Sequence, residues 1–173
     1  MIGKKMQDAI NEQIKEELGS AYIYLSMAAY FHSEGLDGMA HWMRAQTQEE
    51  MVHAMKFYDH LVERDGVIEL LEIEKPQKVW KSPLDVFQTA YKHEQYITGR
   101  INDLVQLAAK ENDNAAAIML QWFVTEQVEE EASTSKVAQD LKVAGDSGQA
   151  ILMLDRELAT RPQLFTLPVT TAQ

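Results

Sequence analysis

With 173 residues, of which 46% are hydrophobic and 25% are charged, the chain has the length and balance of one globular domain, taken to span residues 1 to 173. Its net charge of −11 at pH 7 attracts metal cations and opposes binding to nucleic acid and to anionic membranes. The absence of cysteine excludes disulfides and thiolate metal ligands. Because the chain also has no apolar export signal and no apolar run of membrane length, we expect a cytoplasmic protein.

The first half of the chain is predicted to form a pair of long helices, because apolar residues recur at spacings of three and four. The first helix runs from about Met6 to Ser33 and ends at Gly35. The second runs from about Gly38 to Arg64 and ends at Gly66. The short turn between the two helices predicts an antiparallel hairpin.

The second half is predicted to form another such pair after a long connection. Residues 67 to 81 hold no helical pattern and contain a proline, whereas Ser82 and Pro83 are a strong helix start. The third helix covers about residues 82 to 110, and the fourth covers about residues 113 to 145. The connection is long enough to cross the bundle from end to end if it is extended.

Together these elements predict an all-α fold: a four-helix bundle over about residues 6 to 145, built from two antiparallel hairpins that one long crossover joins. A short fifth helix follows over about residues 148 to 158, and the tail from 159 to 173 is expected to be extended because it contains two prolines. The fifth helix has an apolar stripe, formed by Ala150, Ile151, Leu154 and Leu158. We expect this stripe to pack on other copies of the chain, because the faces of the bundle are already occupied. The alternative is that the fifth helix folds back on its own chain.

Each long helix has polar residues in the middle of its apolar face. In chain order these residues are Glu17 on the first helix, Gln46, Glu50 and His53 on the second, Glu94 on the third, and Gln127 and Glu130 on the fourth. A carboxylate in a core face is unfavourable unless something neutralises its charge. Because carboxylates at similar depth come from several helices, we predict that they share a metal cation.

Glu50 and His53 form a Glu-x-x-His motif, which places a carboxylate and an imidazole on one face of the second helix. Ligands of this kind suit iron, manganese or zinc. Diiron bundles take one Glu from each of two helices and a Glu-x-x-His from each of the other two, and with Glu17 and Glu94 the first three helices match this pattern. The fourth helix has no histidine, so a second metal position beside Gln127 is expected to have oxygen ligands only and to bind more weakly.

A run of acids on the fourth helix offers a further position. Glu126 and Glu129, together with Glu49 on the second helix, could line the side wall of the bundle and hold a third cation. The alternative is a solvated acidic face, which is what most runs of glutamate form.

Four histidines lie outside these sites: His32, His41, His60 and His93. They share no common spacing with one another or with the acids. We expect them at the surface or at helix ends, and His93 is the one next to a predicted ligand.

From about Met6 to Arg161 the chain resembles the non-haem ferritins of bacteria and archaea. Three segments carry the resemblance: AYIYLSMA at residues 21–28, HWMR with QEEMVHAMK within residues 41–56, and LQWF with EQVEEE within residues 120–131. The resemblance implies a ferritin-like fold and iron storage with ferroxidase activity, in which O2 or H2O2 oxidises Fe(II). It also implies that the ferric product is kept as oxyhydroxide mineral inside a hollow shell of 24 copies of the chain.

The same resemblance implies roles for individual residues. The first iron site would be formed by Glu17, Glu50 and His53, and the second by Glu50 as a bridge, Glu94, and Gln127 as a ligand or hydrogen-bond donor. A third iron site would be formed by Glu49, Glu126, Glu129 and Glu130. Tyr24 matches a tyrosine that hydrogen-bonds near the centre and can give up an electron, and Trp122 is a similar candidate. For both aromatic residues the alternative is core packing. No haem is expected, because the fourth-helix histidine of the haem-binding relatives is missing.

Two other functions stay open from the sequence alone. One is a diiron peroxidase or oxygenase of the ferritin-like fold, which the missing second Glu-x-x-His disfavours. The other is a non-catalytic bundle that acts as an interaction scaffold, which leaves the aligned carboxylates and His53 unexplained.

Overall fold

Five α-helices make up most of the chain, and the computed structural model describes residues 1 to 166. In chain order the helices are α1 (Lys4–Ser33), α2 (Asp37–Val62), α3 (Pro83–Lys110), α4 (Asn114–Ala144) and α5 (Gly148–Leu158). No β-strand occurs within these described residues. None of the helices in this range combines the length and the apolar character that crossing a membrane requires. The predicted all-α fold, with four long helices and a short fifth, is confirmed.

The starts of the last three helices follow from local capping. Ser82 accepts a hydrogen bond from the backbone N–H of Asp85 at 3.2 Å, and Pro83 occupies the first helical position of α3. Asp113 and Ser147 cap α4 and α5 in the same way, with donors at 3.0 Å and 3.3 Å. In each case a side chain replaces a backbone partner that the first turn of a helix lacks.

The crossover between the hairpins runs along α1. The Asn11 side chain donates to the Val67 carbonyl oxygen at 2.9 Å and accepts from the Glu69 N–H at 3.0 Å, near the start of α1. The Ser26 hydroxyl donates to the Gln77 carbonyl oxygen at 2.5 Å, towards the other end of α1. The chain is thereby returned to the end at which α2 begins, so α3 runs in the same direction as α2.

The hydrophobic core is divided into two clusters by a polar layer. One cluster joins the end of α1, the starts of α2 and α3 and the end of α4; its large side chains include Tyr24, Phe31, Trp42 and Phe87. The other joins the opposite ends of the same helices and includes Ile10, Phe57, Ile101 and Phe123. Between the clusters along each helix lie buried polar residues, namely Glu17, Gln46, Glu50, His53, Glu94, Gln127 and Glu130. The predicted polar interruptions therefore form one layer across the bundle, which we call the carboxylate layer.

Most of the apolar stripe of α5 packs on its own bundle, so the expectation that it packs on other copies is wrong for Ile151, Leu154 and Leu158. Leu154 and Leu158 are buried in the first core cluster, and Ile151 lies against it. The Met39 N–H at the start of α2 donates to the Asp155 carboxylate at 2.8 Å. The expectation fails because the apolar stripes of the four long helices predict which surfaces along the sides of the bundle are buried. They do not show that apolar surface at the end of the bundle is still free to bind α5. The large apolar side chains of α5 that remain exposed are Leu152 and Met153.

The tail after α5 contains no helix or strand as far as residue 166. The backbone N–H and C=O of Phe165 pair with the side chain of Gln48 on α2, at 3.1 Å and 2.9 Å. The tail is therefore extended along α2 up to this point. The part of the tail prediction that concerns residues 167 to 173 lies outside the described residues.

Candidate metal centre

Glu17 of α1 meets Glu50 and His53 of α2 in the carboxylate layer. Each of the three offers one ligand atom, and these atoms lie within 4.8 Å of one another. The Nδ1 atom of His53 is 3.3 Å from Glu50 Oε2 and 4.0 Å from Glu17 Oε2. All three side chains are buried. The arrangement offers two carboxylates and an imidazole to one cation.

The electrostatics of the layer favour a bound cation. Burial raises the pKa of four carboxyl groups to about 8, those of Glu17, Glu50, Glu94 and Glu130. For each group the next largest contribution is the charge of another carboxylate of the same four. Near neutral pH these groups therefore retain protons unless a metal ion replaces them.

Two oxygen atoms in the layer show that the residues present fit a metal ion. Glu17 Oε2 and Gln46 Oε1 are inaccessible to solvent, and neither has a hydrogen-bond partner among the described residues. Such buried oxygens are rare in folded proteins because nothing compensates their desolvation. A cation bound by Glu17 supplies the missing interaction, and oxygen ligands with one imidazole suit Fe(II).

Glutamine side chains orient these carboxylates. Gln46 Nε2 donates to Glu50 Oε1 at 3.1 Å and to Glu130 Oε2 at 2.6 Å, so it joins α2 to α4. Gln13 Nε2 donates to Glu17 Oε1 at 2.9 Å. Gln13 is a residue of the candidate site that the sequence pattern misses, because it lies outside the apolar stripe of the first helix. Its spacing of four residues from Glu17 is the signal that points to this pair.

Glu94 is held by side chains from α1 and α4. The Tyr24 hydroxyl donates to Glu94 Oε1, and Gln127 Nε2 donates to Glu94 Oε2 at 3.2 Å. Glu94 belongs to neither of the three-ligand groups found among the described residues, although the charge of Glu50 contributes to its raised pKa after burial. Of the residues predicted for the second position, Glu94 and Gln127 are thus hydrogen-bonded to each other, with Gln127 as the donor.

Thr98 fixes the direction in which the Gln127 amide points. Thr98 Oγ1 donates to Glu131 Oε1 at 2.6 Å, and a hydroxyl has one proton to donate. The hydroxyl proton therefore points at Glu131, which leaves a lone pair of Thr98 Oγ1 to accept from Gln127 Nε2 at 3.3 Å. The backbone carbonyl oxygen of Glu94 accepts from the same nitrogen at 3.2 Å, so Thr98 and this carbonyl together turn the amide nitrogen of Gln127 towards Glu94.

A cavity of about 330 Å³ lies beside the carboxylate layer, between α2 and α4. The acids that line it are Glu49, Glu126, Glu129 and Glu130. Ligand atoms of His53, Glu126 and Glu130 lie within 4.8 Å of one another and form the second three-ligand group. Glu49 and Glu129 lie in the wall of the cavity outside that group. His53 therefore borders both groups.

The two aromatic candidates have different environments. Tyr24 is fully buried, and burial together with the charge of Glu94 raises the pKa of its hydroxyl. Trp122 lies in the wall of the cavity, where its ring centre is 5.5 Å from that of His53. Of the two, Tyr24 is the one hydrogen-bonded to the carboxylate layer.

The expectation that the remaining histidines lie at the surface or at helix ends is wrong for His93. It lies within α3 and is half-buried, with its Nε2 atom 2.7 Å from Ser20 Oγ. Burial lowers the pKa of His93 to about 4. The contact with α1 depends on the packing of distant segments, which the spacing of histidines does not reveal.

Known proteins are similar to this chain over most of its length. A family model described as a ferritin-like domain matches residues 7–144. The chain belongs to the ferritin family. It is 43% identical over 161 residues to the bacterial non-heme ferritin of Bacteroides fragilis (strain 638R), a match that covers 93% of this chain and 100% of that ferritin. It is 38% identical over 156 residues to the bacterial non-heme ferritin of Campylobacter jejuni, a match that covers 90% of this chain and 93% of that ferritin.

Solved ferritin structures have the same fold. The open pore ferritin from the hyperthermophilic archaeon Archaeoglobus fulgidus superposes with a TM-score of 0.93 at 48% identity, covering 94% of this chain and 100% of that chain. A closed form of the same archaeal ferritin, engineered by site-directed mutagenesis, superposes with a TM-score of 0.93. This match covers 94% of this chain and 99% of that chain. The predicted resemblance to bacterial and archaeal non-haem ferritins and the predicted ferritin-like bundle are both confirmed.

Proposed function

We propose that the protein stores and detoxifies iron in the cytoplasm. Two Fe(II) ions bind in the carboxylate layer, O2 or H2O2 oxidises them, and the ferric product is kept as oxyhydroxide mineral inside a hollow shell of 24 copies. The observation that carries the proposal is the layer itself, in which four buried carboxyl groups and an imidazole include a carboxylate oxygen without a partner among the described residues. Membership of the ferritin family and the names of the relatives support the same function.

In this proposal Glu17, Glu50 and His53 bind the first iron ion, and Glu50 is shared with the second position beside Glu94. Iron itself supplies the electrons, one from each Fe(II), and two protons join the two electrons when O2 is reduced to H2O2. The carboxyl groups have a pKa of about 8, so below that pH they release protons as iron binds. The side chains of the layer therefore act as ligands and as a local source of protons.

The second position is proposed to bind iron weakly. Gln127 adds no negative charge, and its nitrogen rather than its oxygen faces Glu94. A position with few anionic ligands holds Fe(III) less tightly, so release of the product frees it for further turnover. The acids of the cavity then offer a third position beside His53.

Tyr24 is proposed to orient Glu94 and to give up one electron to the oxidant, O2 or H2O2, when iron is oxidised. A phenol that loses an electron must also lose its proton, because the oxidised hydroxyl is strongly acidic. Glu94 accepts the hydrogen bond of this hydroxyl and is therefore the group placed to take the proton. The Tyr24 ring is fully buried, which keeps other reactants away from it.

The test is rapid oxidation of Fe(II) by the wild type and by His53→Ala. His53 is the one nitrogen ligand of the proposed first position, so we expect the oxidation rate in stopped-flow absorbance to fall at least about 100-fold. Removing a residue that only supports a metal ligand usually costs about 10–100-fold, so the loss of a ligand itself is expected to cost at least the upper end of that range. Circular dichroism is expected to show the same helix content in both proteins.

His32→Ala is the matched control, because His32 is an exposed histidine of α1 that lies outside both three-ligand groups. We expect it to oxidise iron at the wild-type rate. Aerobic addition of excess Fe(II) then separates storage from a diiron enzyme or a scaffold, since a storage protein retains many iron atoms per chain in clear solution. A normal rate in His53→Ala would refute the ligand assignment, and precipitation of the added iron by the wild type would refute storage.

A further inference from the structure

The tail after α5 lies along α2 beside the cavity that contains the proposed third cation position. His41 Nε2 is 2.8 Å from the carbonyl oxygen of Arg161. Four residues later, the backbone of Phe165 pairs with both polar atoms of the Gln48 side chain. Leu164, between these two attachments, lines the cavity. The segment is therefore fixed to α2 on both sides of the point where it reaches the cavity.

The Arg161 side chain enters the cavity between these attachments. Its Nη2 atom donates to Glu49 Oε2 at 2.6 Å, and its guanidinium lies 4.2 Å from the centre of the Trp42 ring. Its Nη1 atom is inaccessible to solvent and has no hydrogen-bond partner in the part of the chain from residue 1 to 166. Among the described residues that line this acidic cavity, Arg161 is also the one lysine or arginine.

We infer that Arg161 is the counter-ion of the third cation position: it neutralises Glu49 when the cavity holds no metal and competes with an incoming metal ion for that carboxylate. The inference rests on the proposed function only in taking the cavity as a cation site. Arginine keeps its charge at every physiological pH, so this competition is permanent. It lowers the affinity of the third position without removing any of its acidic ligands.

Competition follows from the geometry of Glu49. Glu49 Oε2 already accepts from Arg161, both residues line the cavity, and two positive charges at such short range repel each other. The partly buried pair also stabilises Glu49 as an anion, since the charge of Arg161 offsets part of the rise in its pKa that burial causes. A metal ion that takes Glu49 Oε2 as a ligand must therefore displace the guanidinium from it.

The experiment is calorimetric titration of Zn2+, which has no redox chemistry, into the wild type and into Arg161→Gln. We expect the third equivalent of Zn2+ to bind roughly 10- to 100-fold more tightly in Arg161→Gln, the range set by a hydrogen bond to a charged group. The first two equivalents are expected to keep their affinity. Arg156→Gln is the matched control, because it removes the same charge from an exposed position on α5 and is expected to leave all three affinities unchanged.

A double-mutant cycle with Glu49→Gln assigns the effect to this ion pair. In the Glu49→Gln background the change Arg161→Gln is expected to have no further effect on the third equivalent. The inference is overturned if Arg161→Gln leaves the third affinity unchanged, if all three equivalents tighten together, if Arg156→Gln has the same effect, or if the effect persists without Glu49. Thermal unfolding of each variant verifies that it is folded. Slow Fe(II) oxidation by the wild type would refute the proposed function and leave this titration unaffected.

Discussion

Gln127 shows how a single amide sets the character of the second metal position. An acid at this place would add a fifth carboxyl group to a layer in which burial and mutual repulsion already raise the pKa of four groups to about 8. The amide adds a donor to Glu94 instead. Its direction depends on Thr98, which is itself oriented by Glu131. Residues outside the metal-binding groups therefore decide which atom of Gln127 faces the metal position.

Thr98→Val tests this orientation, because valine has nearly the shape of threonine and lacks the hydroxyl. We expect the second equivalent of Zn2+ to bind several-fold more tightly, since the Gln127 amide can then turn its oxygen towards the metal. We also expect a loss of about 1 kcal/mol in the free energy of unfolding, the usual net contribution of a hydrogen bond. Calorimetric titration and urea unfolding measure the two effects.

Thr125→Val is the control for this change, because the Thr125 hydroxyl is exposed and donates only to a carbonyl oxygen of its own helix. It is expected to leave the second Zn2+ affinity unchanged. A Thr98→Val protein that loses stability while keeping the wild-type affinity would show that Thr98 supports the fold but does not orient Gln127.

The sequence predicts the residues of the carboxylate layer because periodicity alone reveals an acid on an apolar helix face. Glu17 and Glu94 are selected in this way, and the structure places both in the layer. Periodicity cannot select Arg161, which lies in a segment without helical pattern and meets Glu49 across 112 residues of chain. It also cannot tell which way an amide such as Gln127 points, since that depends on neighbours from another helix.

At the scale of elements, the contact between α5 and α2 depends on a glycine. A Cβ atom added to Gly38 would lie 1.7 Å from the backbone oxygen of Asp155, so only glycine permits this approach. The neighbouring Met39 N–H donates to the Asp155 side chain. The sequence places Gly38 at the start of the second helix, but it does not show why a glycine is needed there. The helix that approaches Gly38 lies more than a hundred residues later in the chain.

We expect Gly38→Ala to displace α5 from the end of the bundle and to lower the free energy of unfolding by about 1–3 kcal/mol, the usual cost of overpacking. Urea unfolding measures this change. Gly99→Ala is the matched control, because Gly99 is a helical glycine of α3 whose added Cβ meets nothing within 4 Å. Alanine is the better helix former by about 1 kcal/mol, so this control is expected to be more stable than the wild type. Equal stability of Gly38→Ala and the wild type would contradict the close packing of α5 on α2.

At the scale of the whole molecule, α5 has apolar side chains on two sides. Leu154 and Leu158 are buried against the chain's own bundle, whereas Leu152 and Met153 are 52% and 64% exposed. Large apolar side chains exposed next to each other mark a contact surface. In the proposed shell of 24 copies, this outer side of α5 is the surface that meets other copies.

We expect the chain truncated after Gly145 to form no full-size shell, because it lacks the outer surface of α5. The truncation also removes Leu154 and Leu158 from the core, so it lowers stability as well as assembly. The full-length double variant Leu152→Glu, Met153→Glu separates the two effects, since it places charges on the outer surface and leaves the inner contacts of α5 in place. Light scattering is expected to show small particles for both proteins, and circular dichroism is expected to show wild-type helix content for the double variant. A full-size shell formed by the truncated chain would mean that other surfaces of the bundle are sufficient for assembly.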